Sequence, residues 1–426
     1  MTSNFVPIDW VHTTNIYEVN VRQYTEAGTF NAFAASLPRL KDMGVHTLWF
    51  MPVQPVGKKN RKGTLGSYYS ISDYLAINPE FGTLDDFKSV VKQAQSIGFK
   101  VIIDWVANHT SWDHVWTVEH PDFYSKDENG QFRPPYPDWA DVIHLNYENK
   151  GLRNKMIDAM KYWINETGID GFRCDMAHLV PLDFWIEARK ELDAVKPLLW
   201  LAETEESSYH QAFDITYTWE FLHQMEIYWR NETGISGLDS VLYKYDSVFP
   251  ADAMRMYFTS NHDENSHSGT EYDRMGDAAK PFAVLCALWN GVPLVYSGQE
   301  LPVKKKIQFF EKDVIEWTSD PGLHEFYKIL LTLHFIHPAL RAGDSTISTL
   351  RISTTNDDHV FAFLRKKEEK EVLVVLNLSE RKDLHVEITD VMVTGVFKNA
   401  FSGTMIDFTA TKSYCMGPWE YLVYVK

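Results

Sequence analysis

From Asn15 to about Pro338 the chain alternates short apolar runs, rich in β-branched and aromatic residues, with longer amphipathic stretches. Repeated β-α units around a parallel sheet need that rhythm, because each strand is buried on both faces and each helix covers the sheet with one apolar stripe. The runs at Ile16–Asn20, Thr47–Met51, Lys100–Trp105, Gly171–Asp175, Leu198–Glu203, Phe213–Tyr217, Met254–Thr259 and Val292–Ser297 read as eight strands. Eight such units close into a (β/α)8 TIM barrel, an α/β fold. Between them, Phe30–Met43 reads as a helix that follows Gly28-Thr29 and ends before Gly44, and Leu84–Ile97 as one capped by Thr83 and stopped at Gly98.

Two regions break the rhythm. Pro121, Gly130, Pro134, Pro135 and Pro137 mark Thr110 to Asn149 as an irregular excursion after the third strand. Excursions of that length inside a compact fold are usually functional. Beyond about Arg341, the segments Val360–Arg365, Glu371–Leu378, Leu384–Ile388 and Tyr421–Val425 read as strands without intervening helices, a separate all-β sandwich. The expected division is a barrel formed by residues 1–109 and 150–341, an excursion at 110–149, and a C-terminal β-sandwich at 342–426.

A formal net charge of −17 argues against nucleic acid and anionic membranes as partners, since both would repel such a surface. Cys174, Cys286 and Cys415 are odd in number and widely spaced, which gives neither a disulfide framework nor a zinc-type ligand pair. The N-terminal segment lacks a positive region followed by an apolar one, and no uninterrupted apolar run reaches about 18 residues. With reduced thiols, these features lead us to expect a cytoplasmic protein.

In a barrel of this kind the active site lies where the strands end. Here those ends are polar: Asp104 at the end of the third strand and Asn108-His109 just beyond it, Arg173 and Asp175 on the fourth, Glu203 on the fifth, and Asn261-His262-Asp263 after the seventh. A lone Asp in such a place is ordinarily a turn cap. Four carboxylates converging on one rim raise one another's pKa, a cost that a fold tolerates mainly where catalysis uses it.

Asp104-Trp-Val-Ala-Asn-His109, Gly171-Phe-Arg-Cys-Asp175, the lone Glu203 and Asn261-His-Asp263 resemble, in order, the signatures of the α-amylase family of glycoside hydrolases. Gly44-Val-His-Thr-Leu-Trp-Phe-Met-Pro52 and Gly291-Val-Pro-Leu-Val-Tyr-Ser-Gly298 are similar to the family's second- and eighth-strand segments, so the resemblance spans the barrel. It implies a retaining enzyme acting on α-glucans or malto-oligosaccharides, with Asp175 as nucleophile, Glu203 as general acid/base and Asp263 as a third carboxylate that fixes sugar hydroxyls. Arg173 would keep Asp175 ionised, His109 and His262 would bind sugar hydroxyls, and Asp104 would support the rim through Arg173. In Gly66-Ser-Tyr-Tyr69-Ser-Ile-Ser-Asp73-Tyr74, similar to the family's loop with a sugar-stacking Tyr, the matching residue is Tyr69.

The sequence also departs from the family. His178-Leu179 stand where many amylases have Lys-His, and Asp141-Val-Ile-His144-Leu-Asn146 lacks the usual Asp before Leu-Asn. Both places help hold a structural calcium in typical amylases, so no cofactor is expected to be required, although Asn108 leaves room for calcium. No ligand spacing for a catalytic metal is present. Hydrolysis is one chemistry these residues fit. Transfer to another sugar is the other, as in a glucosyltransferase or a trehalose-synthase-like isomerase. A non-enzymatic role, like that of family relatives that are transporter subunits with a degraded site, conflicts with the three carboxylates and Arg173 being present.

Overall fold

The structure is a computed structural model that describes residues 5–426. Three strands, β1 (Ile16–Val19), β2 (Thr47–Phe50) and β3 (Lys100–Trp105), precede a hairpin of β4 (His109–Ser111) and β5 (Val142–His144). Then come β6 (Gly171–Cys174), β7 (Leu199–Ala202), β8 (Ile215–Tyr217), β9 (Met254–Tyr257) and β10 (Val292–Tyr296). All but β4 and β5 form a closed eight-stranded barrel, in which β1 pairs in parallel with both β2 and β10. Closure buries both faces of the strands and so explains why their sequences are continuous apolar runs rather than alternating ones.

The helices follow their caps. Leu84–Ser96 starts with Thr83 and Asp86 in a reciprocal capping box. The single helix expected at Phe30–Met43 is instead two, Phe30–Ala34 and Leu37–Asp42. Pro38 is the reason: it has no N–H to donate to the Ala34 carbonyl, and its ring crowds the preceding turn. No helix among the described residues is long and apolar enough to cross a membrane.

After the barrel come β11 (Ser348–Arg351), β12 (Val360–Lys367), β13 (Lys370–Asn377), β14 (Leu384–Glu387), β15 (Val396–Asn399), β16 (Met405–Asp407), β17 (Ser413–Met416) and β18 (Tyr421–Val425). They form a six-stranded sheet in the order β11-β12-β13-β18-β15-β16 and a two-stranded sheet of β14 and β17. Between these sheets lies a small core that includes Val360, Ala362, Leu364, Leu373 and Val375. The alternate residues Phe361, Phe363, Val372 and Val374 face the other way, into the core of the barrel. Phe363 meets Trp289 there at 4.9 Å between ring centroids. The period-two geometry of a strand thus lets one sheet serve two cores.

Gly171 opens β6 where the backbone of β7 comes closest, and a Cβ added there would lie 2.1 Å from the Leu199 carbonyl oxygen. Backbone on a barrel strand has little freedom to yield, so Gly171→Ala is expected to destabilise the protein by about 1–3 kcal/mol. The check is a urea titration, in which the midpoint should fall at unchanged slope. An unchanged midpoint would show that the strands have slack here.

Candidate active site

The site is built around a buried cation. In β6, Arg173 lies directly opposite Asp104 of β3 and Leu201 of β7. Residues two apart on a strand share a face, so Asp175 projects on the same side as Arg173. The guanidinium is fully buried. Its Nη1 donates to Asp104 Oδ1 and to Asp175 Oδ1, both at 3.0 Å, and its Nε donates to the Tyr217 hydroxyl at 3.0 Å. Its Nη2 forms an ion pair with Glu203 Oε2 at 2.8 Å. Trp49 adds its ring face, 4.9 Å from the guanidinium carbon.

One guanidinium facing three carboxylates leaves an excess of negative charge in a region shielded from water. Burial, and next the charge of Glu203, push the Asp175 carboxyl well above the usual carboxylate range; Arg173 opposes them but does not outweigh them as the sequence led us to expect, and a proton on Glu203 removes the second of these pushes. The backbone N–H of Met176 also donates to Glu203 Oε2 at 2.9 Å, which ties Glu203 to the residue following Asp175.

A second set of polar groups supports the first from behind. His262 Nδ1 meets Glu18 Oε1 at 2.5 Å, and its Nε2 lies 2.8 Å from the Tyr69 hydroxyl, which donates to Asp104 Oδ2 at 2.9 Å. Burial disfavours the charged form of His262, but the charges of Asp263 and Glu18 outweigh it and raise its pKa to about 9. As an imidazolium it donates from both nitrogens. One chain of contacts therefore runs from Glu18 through His262, Tyr69 and Asp104 to Arg173.

Above this floor lies a cavity of about 270 Å³, lined by Asp175, Glu203, Asp263, Tyr69 and His109 among others. The structure thus brings five of the seven expected site residues to one surface. Arg173 and His262 lie beneath it, their polar groups engaged by protein rather than turned to the cavity. Asp263 is the most open of the three carboxylates, with its side chain 38% exposed and one oxygen 3.3 Å from His262 Nε2. Burial, reinforced by the neighbouring His144, lowers the pKa of His109 to about 3, so it is neutral. Tyr69 stacks on His262 with ring centroids 5.2 Å apart, whereas Tyr68 turns away to pack on Arg22 and Phe309.

Other lining residues were not foreseen: Lys62, Trp139, Asp141, Met176, His267 and the pair Phe309-Phe310. Adjacent aromatics in the irregular stretch after β10 are a signal that could have drawn attention to the last two. The buried Glu18 within the apolar strand β1 was another. A second cavity, about 520 Å³, shares Met176 and Glu203 with the first and adds His178, Glu205, Glu206 and Trp219.

The positions where the family resemblance implied calcium carry an unsuitable donor set. Asn108 Oδ1 is buried without a partner. Asp141, however, is paired with the Lys62 ammonium at 3.0 Å, His144 Nδ1 is engaged with Ser125 Oγ at 2.8 Å, and the His178 side chain offers only nitrogen. Calcium takes six to eight oxygens, and these residues do not supply them.

The sequence matches the family model described as "Alpha amylase, catalytic domain" over residues 14–140 and 136–321. Among relatives, alpha-amylase MalA of Haloarcula japonica is 28% identical over 86% of this chain and 56% of its own length. An alpha-1,4-glucan:maltose-1-phosphate maltosyltransferase of Picrophilus torridus is 26% identical over 82% of this chain and 59% of its own. The chain therefore spans little more than half the length of these two relatives. Among solved structures, an alpha-amylase from Lactobacillus plantarum superposes with a TM-score of 0.87 at 31% identity, covering 98% of this chain and 99% of that one.

The raised pKa of His262 makes a pH-dependent prediction. A group whose pKa rises on folding stabilises the fold fully below its unfolded value, about 6.5, and loses that contribution as pH climbs through the folded value, about 9. The stability difference between the protein and His262→Gln should therefore shrink between about pH 6.5 and 9, by on the order of 3 kcal/mol. Urea titrations across this range would measure it. A difference independent of pH would mean that His262 is not held as a cation.

Proposed function

Since this chain belongs to the alpha-amylase family, we propose that it hydrolyses α-glucosidic bonds in α-glucans or malto-oligosaccharides with retention, through a covalent glycosyl-enzyme intermediate. The observation that carries this reading is the grip of one guanidinium on two carboxylates, Asp175 at 3.0 Å and Glu203 at 2.8 Å. Retaining enzymes need such a pair about 5–5.5 Å apart across the scissile bond. Glu203 Oε2 is held by Arg173 and the Met176 N–H, while among the described residues no hydrogen bond engages Oε1. Oε1 is then the atom that gives its proton to the leaving oxygen as Asp175 attacks the anomeric carbon. Glu203, now a carboxylate, takes a proton from the water that cleaves the ester and restores both groups. Asp263 binds sugar hydroxyls and stabilises the oxocarbenium-like transition state, with Tyr69 and His109 contacting the same sugar. Arg173 and His262 act by positioning these groups.

The second cavity, which adjoins the first through Glu203 and Met176, supports a neutral leaving group. Carboxylates Glu205 and Glu206 line it and no Lys or Arg does, so a phosphate-bearing group of the kind named in the maltosyltransferase relatives would be repelled. A sugar in place of water would give transfer instead of hydrolysis. Incubation with maltose distinguishes these outcomes: hydrolysis gives glucose alone, and transfer gives longer oligosaccharides or trehalose.

Glu203→Gln should lower turnover of unactivated glucans by roughly 10²–10⁴-fold, yet still allow a glycosyl fluoride, whose leaving group needs no proton, to label the enzyme. Asp175→Asn should block both substrates, because the covalent bond forms at that oxygen. Intact mass and peptide mapping of the labelled Glu203→Gln protein should place the adduct on Asp175; an adduct on Asp263 or Glu203 would overturn the assignment. Activity should also survive exhaustive chelation, given the donor set around Asn108. Loss on chelation, restored by added Ca²⁺, would refute that expectation.

A further inference from the structure

The nucleophile-side cavity is bounded by two long irregular segments, the excursion between β4 and β5 and the stretch after β10, and residues 62–65 are joined to both. On one side, Lys62 Nζ pairs with Asp141 Oδ1 at 3.0 Å and donates to the Asp138 carbonyl at 3.0 Å. Close by, Ser70 Oγ donates to the Asp141 carbonyl at 3.0 Å. On the other side, Thr64 N–H donates to Glu311 Oε1 at 2.9 Å, Leu65 N–H donates to the Phe310 carbonyl at 3.0 Å, and the Thr64 hydroxyl also meets the Glu311 carboxylate. Between these anchors Gly63 has φ 63°, and a Cβ there would lie 2.6 Å from Phe310 Cβ, so residues 62–65 pack directly on the stretch after β10 and reach the excursion through the Lys62 side chain. Lys62, Asp141 and Phe310 line the cavity itself.

We propose that residues 62–65 form a strap that closes the nucleophile side of the cleft, so that the enzyme attacks only the non-reducing ends of its chains and releases glucose or maltose. This deepens the glucan-hydrolysing reading above and rests on it. An internal bond can be cleaved only if the chain runs on past the sugar held by Asp175. Here its path meets a wall tied by an ion pair and backbone hydrogen bonds, and the cavity of about 270 Å³ falls just below the span of ligand pockets, roughly 300–1,000 Å³. The leaving-group side has no such barrier, because the larger cavity adjoins it through Glu203.

The test compares maltoheptaose with the same oligosaccharide carrying an ethylidene block at its non-reducing end, following all products by chromatography. Free maltoheptaose should be shortened from the outset to glucose or maltose, and the blocked form should react at least about 100-fold more slowly, as expected for a substrate that cannot reach its productive position. Lys62→Ala and Glu311→Ala, which release the strap from either side, should each narrow that ratio by about tenfold and lengthen the first products. Comparable cleavage of the blocked and free substrates by the unaltered protein would overturn the strap. So would a large ratio that neither variant changes, since closure would then lie elsewhere. If free maltoheptaose and starch are both untouched, the glucan-hydrolysing reading itself falls, an outcome distinct from either of these.

Discussion

A guanidinium withdrawn from water costs several kcal/mol unless its charge and hydrogen bonds are answered, and Arg173 has its answers supplied from several barrel strands. Asp104 comes from β3, Asp175 follows β6, Glu203 follows β7, and Tyr217 ends β8. None of these partners is near Arg173 in an open chain except Asp175. The ring of strands must close in register before the cation is satisfied, and the same closure assembles the carboxylates. Net stability gained from such a buried cluster is small or negative, since desolvation offsets most of the attraction. What the cluster contributes is position: a shift of one strand would leave a charge buried and unpaired.

Much of this was legible in the sequence because barrel strands combine continuous apolar runs with abrupt polar ends. Asp104, Asp175, Glu203 and Asp263 stood out as charges at or shortly beyond the ends of segments too apolar to be surface, and the family resemblance then ordered them. Pro38 was in plain view, but the apolar spacing around it outweighed its missing N–H in the reading of Phe30–Met43. In the C-terminal domain β11, β15, β16 and β17 escaped notice because they are short and at most partly buried, so their sequences lack the apolar density that marked β12 and β13.

The walls of the site were less legible than its floor. Lys62, Trp139 and Phe310 lie in segments without periodicity, and their place at the cavity follows from long-range contacts such as Lys62 with Asp141 and Leu65 with Phe310. A local window of sequence contains no trace of such pairings. The roles expected for Arg173 and His262 show the same limit from the other side. Their residue types were compatible with sugar contact, and only the fold reveals that Glu18, Tyr69 and Asp104 already occupy their polar atoms.

The sheet formed by β12 and β13 turns one face to the sandwich core and the other to the barrel, with Phe361 and Phe363 packed against Trp289. Loss of the sandwich would uncover barrel side chains such as Trp289, and loss of the barrel would strip one face from the sheet. Neither part is a self-sufficient folding unit in the sense that a domain joined by a flexible linker would be. Denaturant should therefore melt the chain as one cooperative body. A protease that removed the last strands would act on the catalytic half through its stability, without cutting it.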